Sequence, residues 1–535
     1  MKKHLSVFSI IFLFLINNLS AQTTFQKVFY YTFPGIQLEA QVSKLIIDAN
    51  HDFVFSGSVK EIIQQASSSA LYKTDQNGNL IWFKYYQYYP TVNGIRSIIQ
   101  IPDGNYLLTG YVADSAWTMN TSFLMKVDTS GNIIWSKIFP FSSATLYLEE
   151  LSISGNDIYC AGTVNNSIHG SFIDPYIVKI NQQGDIAWSK YLSNSESDGL
   201  NGITATLDRG CAFVGDMLID NFPVDRDIYY GKLDSIGNKL WTKRIVLPGY
   251  DYGLHIEQTN DGGFIICAIV RDLGFGSNDI LLFKTDSLGD ILWAKVFGTT
   301  KSETPLAMDK LPDGSVLISG SVLDGNIASA FNLRIDPVGN IVWAKIYGLN
   351  DGTRFYTSKV HDDYCAYVGG YNFVPPIGLW DIYFVKTDTS GVSGCYENSY
   401  SFFDSVITLT SQDVSDTVIE SPIQLVDVVM NAYDGTPYIA DSQFCFVNAI
   451  NELKPDNLID IFPNPNNGNF RVQIDGTVSG KFIIYNAVGK IVHDQKISSN
   501  DFEMLVSNIA SGFYILKLID NKSKTITTLK LIVQN

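Results

Sequence analysis

The chain has 535 residues, of which 46% are hydrophobic, 13% aromatic and 17% charged, with a mean hydropathy of +0.07; this supplies a large apolar core and excludes general disorder. Lys and Arg number 37 against 54 Asp and Glu, a net charge of −17, which argues against attraction to a nucleic-acid backbone or an anionic lipid surface. With 42 Gly, 29 Tyr and 32 Phe but only 17 Pro, the composition predicts an all-β fold of many short strands and tight turns.

Residues 1–21 open with Lys2, Lys3 and His4, run through the apolar stretch Leu5 to Ile16 and end on Ser20 and Ala21. This is the pattern of a secretory signal peptide, and the apolar stretch is too short for the roughly 20 residues that a bilayer core requires. No later window is apolar enough to span, so no membrane span is expected. Cys160, Cys211, Cys267 and Cys365 sit in strand-like runs such as IYCAG and FIICAIV and read as buried thiols. Cys395 and Cys445 bracket a different segment, where export permits a disulfide; it would close a loop of roughly 50 residues and stabilise by about 4 kcal/mol.

One pattern recurs six times: KTDQNGNLIWFK from Lys73, KVDTSGNIIWSK from Lys126, KINQQGDIAWSK from Lys179, KLDSIGNKLWTK from Lys232, KTDSLGDILWAK from Lys284 and RIDPVGNIVWAK from Arg334. Trp82, Trp135, Trp188, Trp241, Trp293 and Trp343 stand 53, 53, 53, 52 and 50 residues apart, a repeat architecture. A seventh copy, KTDTSG from Lys386, lacks the W-x-K half. Each copy reads as a β-hairpin whose turn has an Asp (Asn181 in the third copy) bonding its own backbone and a left-handed Gly. A calcium loop would need more oxygen ligands than D-x-x-G-[ND] offers. A weaker hairpin precedes each copy, as in SIIQIPDGNYLLTGYV and MDKLPDGSVLISGSV, so every period holds four antiparallel strands, the content of one β-propeller blade.

The mature N-terminus supplies the missing half. In FQKVFYY, Phe25 and Lys27 stand where Trp and Lys stand in WSKIF, so residues 24–31 are expected to form the outermost strand of the last blade and close a seven-bladed ring. The repeated Trp residues read as wedges between blades. The period K-x-D-x-x-G-x-h-x-W resembles the repeats of pyrroloquinoline-quinone-type propellers and of related secreted bacterial propellers, over residues 22–395 and at scaffold positions only. The enzymes of that group carry a vicinal disulfide, and this chain has no adjacent Cys pair; no cofactor is expected.

Residues 396–455, rich in Ser, Thr, Asp and Val, read as a connector. From 456 to 535 the segments IDIFPNPNNGNF, KFIIYNAVGK, SGFYILKL and TTLKLIVQN predict a small antiparallel β-sandwich. They resemble the type A C-terminal sorting domain of the type IX secretion system of Bacteroidota, through Pro463, Asn464, Pro465 and Gly468, then Tyr485 and Gly489, Gly512 and Tyr514, and Lys530. The resemblance implies passage across the outer membrane, recognition of this tail by the type IX machinery, and a secreted or cell-surface protein, commonly attached after the tail is removed.

Because framework positions repeat and connecting loops do not, any site is assigned to the loops. One set, before the innermost strands, carries Arg96, Glu149, Glu150, Asp198, Asp251, His255, Glu303 and Arg354; the other carries Trp117, His169, Phe222, Arg226, Phe275 and Trp380. Trp117, Trp380, Asp251, His255 and Arg354 are the candidate ligand-binding residues. Without HExxH or H-x-H no metal site is expected. The favoured reading is a non-catalytic binding or scaffold propeller for a glycan or protein ligand. The alternative is a secreted glycoside hydrolase or lyase with paired carboxylates at the mouth of the ring.

Overall fold

In the computed structural model residues 23–533 are described, except 32–37, 62–66, 89–90, 115–119, 141–143, 167–172, 194–196, 222–223, 272, 349–351, 373–379, 422–423, 449–458, 463–467, 475–479, 487–489, 498–500, 507–509, 511 and 521–524. The signal peptide lies outside them. Residues 22–448 form one compact unit and 449–535 belong to another.

The first unit consists of seven antiparallel sheets, called blades 1 to 7 here after their innermost strands: Leu38–Ile47, Val92–Gln100, Ala144–Ser154, Asp198–Ala205, Tyr252–Gln258, Ser302–Lys310 and Thr353–Val360. All seven of these strands line one cavity, so the sheets stand around an axis as a β-propeller. Blade 7 is completed by Thr23–Tyr31, which pairs with Trp380–Asp388 in the register Phe25↔Lys386 and Val28↔Tyr383, as the orphan FQKVFYY predicts.

The repeat explains how neighbouring blades hold each other. In the turn of blade 2, Asp128 Oδ1 accepts from the backbone N–H of Ser130 and Asn132 at 2.9 and 2.8 Å. Gly131 has φ +77° and lies against the ring of Trp82 from blade 1, so a side chain there is excluded by both backbone and neighbour. The same contact joins Trp135 to Gly184, Trp241 to Gly289 and Trp343 to Gly391. Phe25 takes the Trp role on Gly78, and Lys27 Nζ donates to the Gly78 carbonyl and to Asn79 Oδ1, both at 3.0 Å. The closing seam is thus one more copy of the clasp, reinforced by Phe25, Phe53 and Phe55 around Phe384.

Each blade has five strands, not the four predicted. The segment read as a connector runs backwards around the ring and adds one short strand to the outer edge of each blade: Glu397–Ser399 on blade 6, Phe403–Val406 on 5, Ser411–Asp413 on 4, Thr417–Glu420 on 3, Val426–Asp427 on 2, Asn431–Asp434 on 1 and Ile439–Asn448 on 7. A four-stranded blade would leave the W-x-K strand as an open edge, and this belt covers it. The residue after each Trp receives it: the carbonyls of Phe83, Ser136, Ser189, Thr242, Ala294 and Ala344 accept from the N–H of Gly435, Val428, Ser421, Val414, Ile407 and Tyr400. Asp416 on the belt is buried and accepts from Lys239 Nζ at 2.5 Å and Thr242 Oγ1 at 2.7 Å. The ring unit therefore takes in the stretch to Asn448.

The Lys that opens each repeat meets an acid of its own inner hairpin, as in Lys126–Asp103 at 2.5 Å and Lys179–Asp157 at 2.9 Å. In blade 7 Lys386 instead lies 4.2 Å from the centre of the Tyr364 ring and donates to the Gln76 carbonyl. Burial lowers its pKa to about 8. Between pH 8 and 10.5 the unfolded chain holds this proton more tightly, so the burial penalty is full below pH 8 and fades toward 10.5. Lys386→Met is therefore expected to raise stability at pH 7 by roughly 1–2 kcal/mol and to lose that gain above about pH 10, read by thermal melts across this range.

In the second unit one sheet holds Ile459–Phe462, Asn469–Ile474 and Asp501–Leu505, and another holds Ile491–Lys496, Gly480–Asn486, Gly512–Asp520 and Thr525–Val533. Phe470 and Val472 of the first share an apolar cluster with Phe482, Ile484, Leu516 and Leu531 of the second. Among the described residues no helix is long and apolar enough to cross a membrane.

Candidate binding channel

Every innermost strand of the propeller breaks register once, at matching points: between Val42 and Lys44, Ile95 and Ser97, Leu148 and Glu150, Leu200 and Gly202, Gly253 and His255, Pro305 and Ala307, and Phe355 and Thr357. These are β-bulges, which bend a strand and re-aim the extra side chain. The bulged residues are Ser43, Arg96, Glu149 and Asn201 on blades 1 to 4, and Leu254, Leu306 and Tyr356 on blades 5 to 7. All seven line one axial cavity of about 460 Å³. Opposite the bulges the second strands carry Gly57, Gly110, Gly162, Gly215, Gly320 and Gly369, where a Cβ would collide with the innermost strand's carbonyl; blade 5 has Ala268 facing Gly253 instead.

A second cavity of about 400 Å³ continues along the axis, and Lys44 and Glu150 line both. Lys44 Nζ lies 2.5 Å from Glu150 Oε1, spanning blade 2, and Glu150 Oε2 accepts from the Ile203 N–H at 3.2 Å. Burial pulls the Lys44 pKa down, but the charge and hydrogen bond of Glu150 outweigh it and leave the ammonium above its ordinary range. Arg96 and Glu149 pair at 3.6 Å. Asp309 accepts from Ser358 Oγ at 2.7 Å and Lys359 Nζ at 2.8 Å, and its charge raises the Lys359 pKa. Burial lowers the pKa of His255 and raises that of Glu257.

The acidic and basic residues assigned to loops divide by position. Arg96, Glu149, Glu150 and His255 lie on innermost strands and meet in the channel. Asp251 and Glu303 are fully buried where blades 5 and 6 begin, accepting from the N–H of Arg271 at 3.0 Å and of Thr299 at 3.1 Å; neither lines the axial cavity. Arg354 follows Thr353 at the start of the blade 7 innermost strand and bonds Tyr356, the bulge residue, without itself lining the cavity. Phe275 packs on Phe403 of the belt at 5.6 Å. Trp117, His169 and Phe222 lie outside the described residues, as does the side chain of Trp380. Lys44, Asn201, Asp309, Tyr356 and Glu257 were not singled out from sequence; the recurring second-strand Gly was the available signal.

Among the described residues no group of three or more His, Cys, Asp or Glu is placed to hold a metal. Cys160, Cys211, Cys267 and Cys365 are free and buried, and Cys395 is disulfide-bonded. The side chain of Cys445 lies outside the described residues, but its backbone pairs with Gln26, whose Nε2 donates to the Cys395 carbonyl. In the tail, Gly468 is buried with φ +91° and accepts from the Val506 N–H at 2.8 Å, and Tyr514 Oη donates to the Ala510 carbonyl at 2.8 Å. Gly512 opens a strand, and Lys530 pairs with Ile515 through the backbone. Pro463, Asn464, Pro465, Gly489 and the side chain of Lys530 lie outside the described residues.

Residues 460–534 match the family described as the secretion system C-terminal sorting domain. The chain therefore carries the sorting tail of a type IX export substrate. No curated protein matches the chain. Similar solved structures include a protein of unknown function from Dyadobacter fermentans, with 11% identity over 68% of this chain and 98% of that one and a TM-score of 0.41. Another is the α-L-arabinofuranosidase Arb93A of Fusarium graminearum, with 9% identity over 69% and 99% and a TM-score of 0.39. The β-propeller domain of the Trilobed protease from Pyrococcus furiosus has 9% identity over 67% and 96% and a TM-score of 0.37.

Proposed function

We propose that this protein is carried across the outer membrane by its C-terminal tail, folded there as a β-sandwich, and acts outside the cell as a non-catalytic binding propeller whose seat is the axial channel. The observation that carries the binding reading is the state of the channel acids. Glu149, Glu150 and Asp309 are each held by a cation, Arg96, Lys44 and Lys359. Each of these carboxylates is tied to a positively charged side chain and placed to accept hydrogen bonds, whereas glycosidases work with a pair of carboxyl groups that face one another across the scissile bond. A hydrolase reading draws support from Glu257 in the second cavity, whose carboxyl burial raises. Incubating the purified propeller with oligosaccharides separates the two: intact sugars support binding, and cleavage abolished by Glu257→Gln would replace it.

Deleting residues 449–535 is expected to leave the protein in the periplasm, read by fractionation and immunoblot. Release of the truncated form at the normal level would contradict the export reading. We also propose Cys445 as the partner of Cys395, since the other four cysteines are free. A non-reducing peptide map with both thiols alkylated would exclude it.

A further inference from the structure

We infer that the first chamber of the channel is a saccharide seat, selective for an uncharged sugar that turns hydroxyls toward blades 1 to 4 and an apolar ring face toward blades 5 to 7. The inference rests on the binding reading above and names its ligand class. The clasp keeps Gly in every turn and an aromatic against each, and Lys or Arg opens every repeat. At the bulges the backbone geometry recurs in all seven blades, but the residue does not: Ser, Arg, Glu and Asn on one side, Leu, Leu and Tyr on the other. A bulge bends the strand whatever side chain it carries, so these positions are freed from framework duty, and all of them face one volume.

That volume has a definite chemistry. At its wall Arg96 with Glu149 and Lys44 with Glu150 cancel in formal charge, and Asp309 is paired by Lys359, which lines the second cavity. A charged ligand would have to compete with one of these pairs or enter without a counter-charge. A wholly apolar ligand would cover the Arg96 and Glu149 heads without replacing their water. The Asn201 amide is fixed by donation from Nδ2 to the Gly253 carbonyl at 2.9 Å, a pre-set polar contact beside the Arg–Glu pair. Leu254, Leu306 and Tyr356 line the opposite side beside Pro305 and Met308, with His255 and Asp309 as its ionisable members. A pyranose has this two-sidedness, with hydroxyls around its edge and C–H groups on its face. At about 460 Å³ the chamber falls in the size range of small-molecule sites, about 300–1,000 Å³, and a folded partner cannot enter it.

The test uses the mature protein, residues 22–535, on an array of neutral and uronate-containing oligosaccharides. Hits are titrated by calorimetry against the wild type, Glu149→Gln and Tyr356→Ala, with melting temperatures measured alongside. The expected result is neutral hits only, weakened about tenfold or more in both variants at unchanged melting temperature. Binding restricted to uronates, or no hit at all, overturns the ligand class. Neutral hits indifferent to both variants overturn the seat and leave the binding reading standing. Cleavage of a neutral hit, lost in both variants, sinks the non-catalytic reading and keeps the seat.

Discussion

A chain ending at residue 394 is expected to melt about 10 °C or more below one ending at 448, although both contain every strand of the sequence repeat. The shorter chain lacks the belt, and with it the outermost strand of all seven blades. The six W-x-K strands and Thr23–Tyr31 would then expose seven unpaired rows of N–H and C=O groups, open to pairing with other chains. Loss of Asp416 alone would leave Lys239 and Thr242 without their buried acceptor. The belt has a second consequence for assembly. Its last strand, Ile439–Asn448, pairs with Thr23–Tyr31, which is itself the strand that closes the ring, so the end of the belt and the ring closure share one strand. Equal melting of the two chains, without aggregation of the shorter, would show the belt to be passive.

Phe25→Ala is expected to cost about 3–5 kcal/mol, the range for truncating a buried aromatic. Phe25 is fully buried, covers Gly78 and meets Phe384 edge-on at 5.0 Å, so its loss opens a cavity where the N-terminal strand joins blade 7 to blade 1. Phe25→Trp, which restores the residue used at the other six seams, should recover most of the loss if the neighbouring rings can shift to admit the larger side chain. The check is chemical denaturation of the three proteins side by side. A loss under about 1 kcal/mol for the alanine variant would mean that the seam is held elsewhere.

The ring was legible because its signals are steric and repeated. A Gly that must be left-handed and a Trp that must lie on it recur at a fixed period, and Phe25 with Lys27 could be recognised as a displaced copy of the same pair. The belt was not legible because strands such as Val426–Asp427 and Ser411–Asp413 are too short and too exposed to show alternation; they are strands only because an edge is waiting for them. The channel was half legible. Arg96, Glu149, Glu150 and His255 stood out as non-repeating polar residues, but Asp251 and Glu303 looked the same in the sequence and turned out to hold loop backbone. What separates them is a backbone event, the bulge, whose only trace is the glycine on the neighbouring strand.

The central claim is a division of labour, in which repeated residues build the propeller and the divergent bulge residues bind. Thermal melts of single alanine variants at the bulges and at the clasp test it most directly. Ser43, Arg96, Glu149, Asn201, Leu254, Leu306 and Tyr356 are predicted to give melting temperatures near wild type, and Phe25, Trp135, Trp188 and Trp241 a separate, lower group. Overlap of the two groups, with bulge variants melting as low as clasp variants, would contradict the account.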